Sequence, residues 1–329
     1  MSKLRFGILG CGGMAGGHAR FLSEREGVEL VALSDVTEEI LDGFIERNLE
    51  GKAAPEKYTD AAEMYANENL DAVVIVTPHT MHFDHGVQAL DAGCHVFMEK
   101  PMVTSTEQAY KLKEKVDETG KVLVVGYNTP CKASFAYIRE VIRNKTFGNL
   151  ELVTGFLSQN WMKATAGSWR QKPELSGGGQ AYDSGAHLMN SLVWSVEESP
   201  AEVFAFIDNH GTPVDINSVT NIRFANGVMA SITVSGNCPG GGRFMAFIFD
   251  EGRIEVDGWG GDWIKVYGND GEEIENPELV GEDQSPVDNF IDAINGVAEA
   301  RTSPTNGIHQ SELMDSIYKS AETGQVVKV

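Results

Sequence analysis

Between residue 3 and about residue 126, short apolar runs alternate with stretches whose apolar positions recur every three or four residues. Residues 4–9, 28–33, 73–76, 96–98 and 122–125 read as strands. Residues 14–25, 37–48, 61–67 and 82–92 read as helices, and so does a segment opening at Thr104 and closing at Gly120. Thr104 and Glu107 have the spacing of a capping box, and Gly93 stands where a helix would end in a left-handed turn. Val73-Val74-Ile75-Val76 is β-branched and nearly unbroken, as in a strand covered on both faces of a parallel sheet. Such strand–helix alternation predicts a doubly wound parallel sheet.

After about residue 130 the period changes. Helices at 134–143 and 184–196 precede runs of period two, and in residues 228–234 positions 228, 230, 232 and 234 are apolar while the intervening ones mostly are not. Asn226-Gly227 before that run is a strong hairpin signal. Asp250-Glu251-Gly252 and Asn269-Asp270-Gly271 read as further turns. Two helices, 287–299 and 308–323, end the chain. The expected fold is α/β: a doubly wound parallel sheet over residues 1–128, then an α+β domain over 129–329 with a mainly antiparallel open sheet.

Composition narrows the class. A length of 329 residues suits two domains, and 42% hydrophobic residues suit a folded chain. No apolar run approaches the roughly 18 residues of a membrane span, and the N-terminus enters a strand with no signal-peptide core. Cys11, Cys94, Cys131 and Cys238 form no C-x-x-C pair, so neither a disulfide framework nor a zinc ribbon is indicated. With 26 Lys plus Arg against 48 Asp plus Glu, the net charge is −22, which disfavours nucleic acid and anionic membrane surfaces. A cytoplasmic protein is expected. The carboxylate-rich stretch 270–300 holds no Lys or Arg and no recurring ligand spacing, so it reads as a solvated face.

Gly10-Cys11-Gly12-Gly13-Met14-Ala15 fits G-x-G-x-x-A where a strand gives way to a helix. Gly10 permits the tight turn, Gly12 lets backbone N–H groups approach a pyrophosphate, and Ala15 lets the helix pack closely. Asp35 ends the second strand, where a carboxylate takes ribose hydroxyls and repels a 2′-phosphate. Ser34-Asp35-Val36-Thr37-Glu38 holds no Arg or Lys to offset that charge. The cofactor expected is NAD rather than NADP.

Three further segments carry chemistry. Thr77-Pro78-His79-Thr80-Met81-His82 and Glu99-Lys100-Pro101 leave the ends of parallel strands, where open α/β sheets bind ligands. Gly177-Gly178-Gly179-Gln180-Ala181-Tyr182-Asp183-Ser184-Gly185-Ala186-His187 opens a helix of the second half. Asp183 and His187 are i and i+4, hence on one helix face. A histidine on the cofactor cleft suits a general base near neutrality, and Lys100 would stabilise developing alkoxide. The spacing of His79, His82 and His85 spreads the three rings over too wide an arc for easy metal ligation, and no metal is expected.

Together with the fingerprint, these segments resemble the glucose–fructose oxidoreductase / inositol dehydrogenase / rhizopine-catabolism (Gfo/Idh/MocA) family, a likeness running to Ile317-Tyr318-Lys319-Ser320-Ala321-Glu322-Thr323-Gly324. It implies a Rossmann N-terminal domain and Lys100, Asp183 and His187 as catalytic residues. It places Thr77, Pro78, His79, His82, Glu99, Asn128 and the Trp169-Arg170 pair with Gly10, Gly12, Gly13, Met14 and Asp35 around the cofactor. The resemblance also leaves room for a cis Lys100-Pro101 bond. Tyr127, Trp161 and Tyr182 join the catalytic residues as candidates for contact with a sugar, along with the general aromatic candidates Trp169, Trp259 and Trp263. Pro130 stands where the family commonly has an arginine that contacts substrate or cofactor, and Lys132 is the candidate to take over that contact. The expected activity is NAD-dependent oxidation of a secondary hydroxyl of a sugar, sugar derivative or cyclitol. An NAD-dependent glycoside hydrolase or lyase acting through transient oxidation is the alternative, and a non-catalytic sensor a weaker one. A homodimer or homotetramer is expected.

Overall fold

The computed structural model describes residues 3–329. They form two compact units: one comprises the chain up to residue 103, 107–126 and 287–304, the other 104–106, 127–286 and 305–329.

In the first unit, β1 (Leu4–Leu9), α1 (Ala15–Glu24), β2 (Val28–Ser34), α2 (Glu38–Asn48), β3 (Glu56–Tyr58) and α3 (Ala61–Asn67) make the first half. β4 (Ala72–Ile75), α4 (His82–Asp91), β5 (His95–Met98), α5 (Thr106–Thr119) and β6 (Leu123–Val125) complete it. The six strands are all parallel, in the order β3-β2-β1-β4-β5-β6. That order reverses direction between β1 and β4, which opens a ligand crevice at their C-terminal ends. Every residue of β4 is buried, as its β-branched run predicts. Thr37 and Asp60 cap α2 and α3 by accepting N–H bonds from Ile40 and Ala62. One start differs from expectation. α5 begins at Thr106, two residues beyond the Thr104 capping-box position, and its first N–H bonds Asp315 Oδ2 at 2.8 Å. A cap from that far along the chain leaves no local pattern.

The second unit runs through α6 (Ala133–Asn144), β7 (Leu150–Ser158), α7 (Trp161–Ala164), α8 (Pro173–Ser176), α9 (Gly185–Val196), β8 (Pro200–Asp208) and β9 (Asn217–Phe224). It continues through β10 (Met229–Ser235), β11 (Gly242–Phe249), β12 (Gly252–Val256) and β13 (Ile264–Tyr267). The next helix, α10 (Pro286–Ile294), packs in the core of the first unit. There Phe290 meets Phe6 and Phe97 with ring centroids 6.0 and 5.8 Å apart. The sequence boundary at 128 misses this return. α11 (Pro304–Thr323) and β14 (Val327–Lys328) finish the second unit.

Its eight-stranded sheet has the order β13-β12-β11-β7-β10-β9-β8-β14, antiparallel except for the β7–β10 pair. Ala230, Ile232 and Val234 point into the core, and Met229, Ser231 and Thr233 lie on the more open face. All twelve residues of α9 are buried. Leu188 and Leu192, with Val193, anchor it in the main core cluster, each large side chain contributing about 1.5–3 kcal/mol by burial. Polar side chains fix its depth: Asn190 Nδ2 donates to Asn306 Oδ1 and Gln310 Oε1 at 2.7 and 2.8 Å.

Candidate functional site

In the first unit, Gly10 has φ +93°, and a Cβ there would lie 2.8 Å from the Val76 carbonyl oxygen, so only glycine fits. A Cβ on Gly12 or Gly13 would meet nothing within 4 Å. Open backbone therefore leads into the N-terminus of α1, whose first turn holds no acidic residue. Free N–H groups and the positive dipole end suit a pyrophosphate there. Met14, 56% exposed, stands at the entry.

Asp35 ties this loop to the end of β2. Its Oδ2 accepts the Cys11 N–H at 2.6 Å and its Oδ1 the Val36 N–H at 2.7 Å. A carboxylate offers about four lone-pair sites, which leaves two for ribose hydroxyls. The residues present thus fit a dinucleotide. Cys11 is no nucleophile: burial, with Asp35 adding, pushes its thiol up to about 12.

His82 joins the loops that follow β4 and β5. Its Nδ1 lies 2.7 Å from the Pro101 carbonyl oxygen and its Nε2 2.9 Å from that of Thr77. Burial lowers its pKa despite both carbonyls, so the neutral ring donates to one and rests against the other. Thr77 Oγ1 bonds His85 Nδ1 at 2.9 Å, and the buried His79 ring sits edge-on to His82 at 5.9 Å. Pro78 is half-buried beside them. Among the described residues no group of three or more His, Cys, Asp or Glu could hold a metal ion.

After β5, Glu99 Oε1 pairs with His18 Nε2 at 2.7 Å, and its Oε2 accepts the Lys100 N–H at 3.3 Å. Burial raises the Glu99 pKa, but His18 and Lys100 outweigh it and the net shift is downward. The Lys100–Pro101 bond is cis. His18 on α1 had no sequence signal, because its partner lies 81 residues away.

In the second unit the glycine run before α9 is gripped by a buried carboxylate. Asp215 Oδ1 accepts the Gly179 N–H at 2.6 Å and the Tyr318 hydroxyl, and Oδ2 accepts the Ala181 N–H at 2.7 Å. A Cβ on Gly179 would lie 2.0 Å from the Asp215 carbonyl oxygen. Burial raises the Asp215 pKa, and these donors only partly offset it. Neither Asp215 nor the role of Tyr318 was legible, since each acts on a loop distant in the chain.

That loop delivers Asp183 and His187, each 7% exposed. Asp183 Oδ2 accepts Trp161 Nε1–H at 2.8 Å and Arg170 Nε–H at 3.0 Å. The Arg170 guanidinium lies 4.6 Å over the Trp169 ring. His187 is stacked on Trp259 at 4.4 Å and 17°, with Tyr127 edge-on at 5.6 Å. The spacing argument for one helix face needs correction: α9 starts at Gly185, so Asp183 sits in the preceding turn. Trp161, 4% exposed, packs with Val214 and Ile216 and turns its polar edge to Asp183. Tyr182, 2% exposed, lies in the core, its ring 5.8 Å from Tyr318. Both rings are buried in this structure, Trp161 with its N–H on Asp183 and Tyr182 in the core. Asn128 is exposed, Pro130 is buried, and Lys132 pairs with Asp283 at 2.7 Å.

A family model described as "Oxidoreductase family, NAD-binding Rossmann fold" matches residues 4–127, and the "GFO/IDH/MocA C-terminal domain" model matches 135–264. D-glucoside 3-dehydrogenase of Escherichia coli (strain K12) is 30% identical over 200 residues, 59% of this chain and 54% of that protein. Glucose-6-phosphate 3-dehydrogenase of Bacillus subtilis (strain 168) is 28% identical over 199 residues, 59% and 54% of the two chains. The chain thus spans little more than half the length of these curated relatives. The WlbA dehydrogenase of Bordetella pertussis, crystallised with NADH and UDP-GlcNAcA, superposes with a TM-score of 0.85 at 25% identity, covering 100% of this chain and 98% of that one.

Proposed function

The chain belongs to the Gfo/Idh/MocA oxidoreductase family, with an NAD-binding Rossmann domain, and from that we propose that it oxidises a secondary hydroxyl of a sugar or sugar derivative. The observation that carries the proposal is His187, the one titratable side chain in a twelve-residue helix buried throughout. Its ring is held between Trp259 and Tyr127, and a base fixed in this way transfers a proton without reorganising. His187 takes the proton of the substrate hydroxyl. Lys100 steadies the negative charge that grows on that oxygen, and the Glu99–His18 pair holds the backbone at Lys100 in place. Asp183, oriented by Trp161 and Arg170, hydrogen-bonds the substrate. NAD, when bound, supplies the hydride acceptor. Asp35 favours NAD over NADP by its charge.

Absorbance at 340 nm with a panel of sugars and cyclitols tests this. Steady NADH formation is expected with at least one of them. His187→Ala should lower turnover by roughly 10²–10⁴-fold with NAD affinity kept, and combining it with Lys100→Ala should add little further loss. Cleavage of a glycoside with no net NADH would instead favour the hydrolase or lyase chemistry. No reaction with any of them would remove the proposal.

A further inference from the structure

Trp259, whose indole stacks on His187, also lines a cavity of about 580 Å³ within the second unit. That volume lies in the range of small-ligand sites. Its positive charge comes from Lys132 and Arg243, and both are already engaged. Lys132 Nζ lies 2.7 Å from Asp283 Oδ2. Arg243 Nε lies 2.7 Å from the buried Asp257, and one of its terminal nitrogens 2.9 Å from Asp262. Two cations thus face three carboxylates, formally one negative charge in excess. Asp257 also accepts the N–H groups of Trp259 and Gly260 at 3.1 Å, so the same ion pair holds the turn that places the indole under His187.

We infer that this cavity is a subsite for an uncharged sugar residue, so that the substrate is a neutral glycoside or oligosaccharide rather than a phosphorylated or carboxylated sugar. The inference rests on the oxidation proposed above and adds its substrate class. A sugar hydroxyl donates to one partner and accepts from another, which matches a wall of paired ammonium, guanidinium and carboxylate groups with Asn128 beside them. A phosphate dianion only accepts. It would have to displace Asp262 or Asp283 from its cation and then remain beside that carboxylate, a like-charge juxtaposition that costs affinity. The net charge of −22 on the whole chain works in the same direction.

The test compares four ligands on the full-length protein with NAD: a methyl glucoside, a glucose disaccharide, glucose 6-phosphate and glucuronate. The neutral pair is expected to exceed the anionic pair in kcat/KM by roughly 10-fold or more. Added salt should narrow the gap by screening. Asp262→Asn and Asp283→Asn should each raise the relative kcat/KM for glucose 6-phosphate. If either variant fails to fold, the ratio and salt response of the unmodified protein decide. A preference for glucose 6-phosphate or glucuronate would overturn the inference while leaving sugar oxidation intact. If none of the four is oxidised, quenching of tryptophan fluorescence by the same ligands still reads the subsite. Binding of the neutral pair alone keeps it, and binding of the anions or of neither pair removes it.

Discussion

A single carboxylate joins the glycine loop to the end of β2. Asp35 anchors the Cys11 N–H at 2.6 Å, and its proposed second role is to repel a 2′-phosphate. Asp35→Ala is therefore expected to weaken NAD binding roughly 10-fold, the worth of one charged hydrogen bond, while narrowing the gap to NADP. Titration of both dinucleotides checks this, and tighter binding of NADP by the unmodified protein would contradict it. The tight turn at Gly10 and the place of Asp35 just after β2 were readable because both are local features, one turn and one strand end. The His82 staple between Thr77 and Pro101 was not. A histidine in sequence carries no mark of which carbonyls it will meet. The burial of Trp161 and Tyr182 was not legible either, as residue type alone does not say how deeply an aromatic ring will pack.

Among the elements, the buried strands and the helices of the first unit follow the apolar runs closely, whereas β3, an exposed edge strand of three residues, has no apolar run and goes unread. β7 has no such pattern. Its inward residue Gly155 has no side chain, since a Cβ there would lie 2.8 Å from Ile232 and 3.2 Å from Leu188, while Leu152 and Phe156 point outward. The alternation is scrambled and the strand goes unread. The loop before α9 makes a prediction of its own. Asp215→Asn turns an amide donor towards N–H groups that need an acceptor, and about 1–3 kcal/mol of stability should be lost. Turnover should fall with NAD affinity kept, as Asp183 and His187 lose their fixed approach. Tyr318→Phe should do the same more mildly. Urea unfolding with steady-state kinetics separates these outcomes, and unchanged turnover in both variants would refute the positioning role.

The C-terminal end of α9 gives a pH dependence. Glu197 caps the helix at φ 56° and pairs with Arg139 and Arg143 of α6. Burial raises its pKa, but the two arginines outweigh this and bring it from 4.5 down to about 2. A lowered folded pKa gives stability that is present above the unfolded value and lost as pH falls through the folded one. Glu197→Gln should cost about 1 kcal/mol at neutral pH after solvent screening. The difference from the unmodified protein should shrink as the pH falls from 4.5 towards about 2. A difference independent of pH would contradict the ion-pair assignment.

At the scale of the whole molecule, the open face of the second sheet carries a row of side chains across four neighbouring strands. Phe156, Thr233, Val219 and Phe206 stand side by side by strand register, and Phe206 is 65% exposed. Three exposed apolar side chains in a row broken only by Thr233 suit an interaction surface, and a second copy of the chain is the partner proposed. Light scattering should give two or four times 35.7 kDa, and Phe206→Lys should shift the assembly towards monomer. A monomer at all concentrations would contradict this. What the sequence could not reveal at this scale is the return of α10 to the first core, because Phe290 reads as core without saying which core.

Hydride transfer from a sugar carbon, with His187 removing the hydroxyl proton, is tested most directly by isotope. A neutral glycoside deuterated at its ring carbons is incubated with the protein and NAD, and the reduced cofactor is weighed by mass spectrometry. NADH carrying one deuterium is expected, formed more slowly than with unlabelled sugar and greatly diminished by His187→Ala. NADH without label, or label transfer undiminished in His187→Ala, would contradict the mechanism.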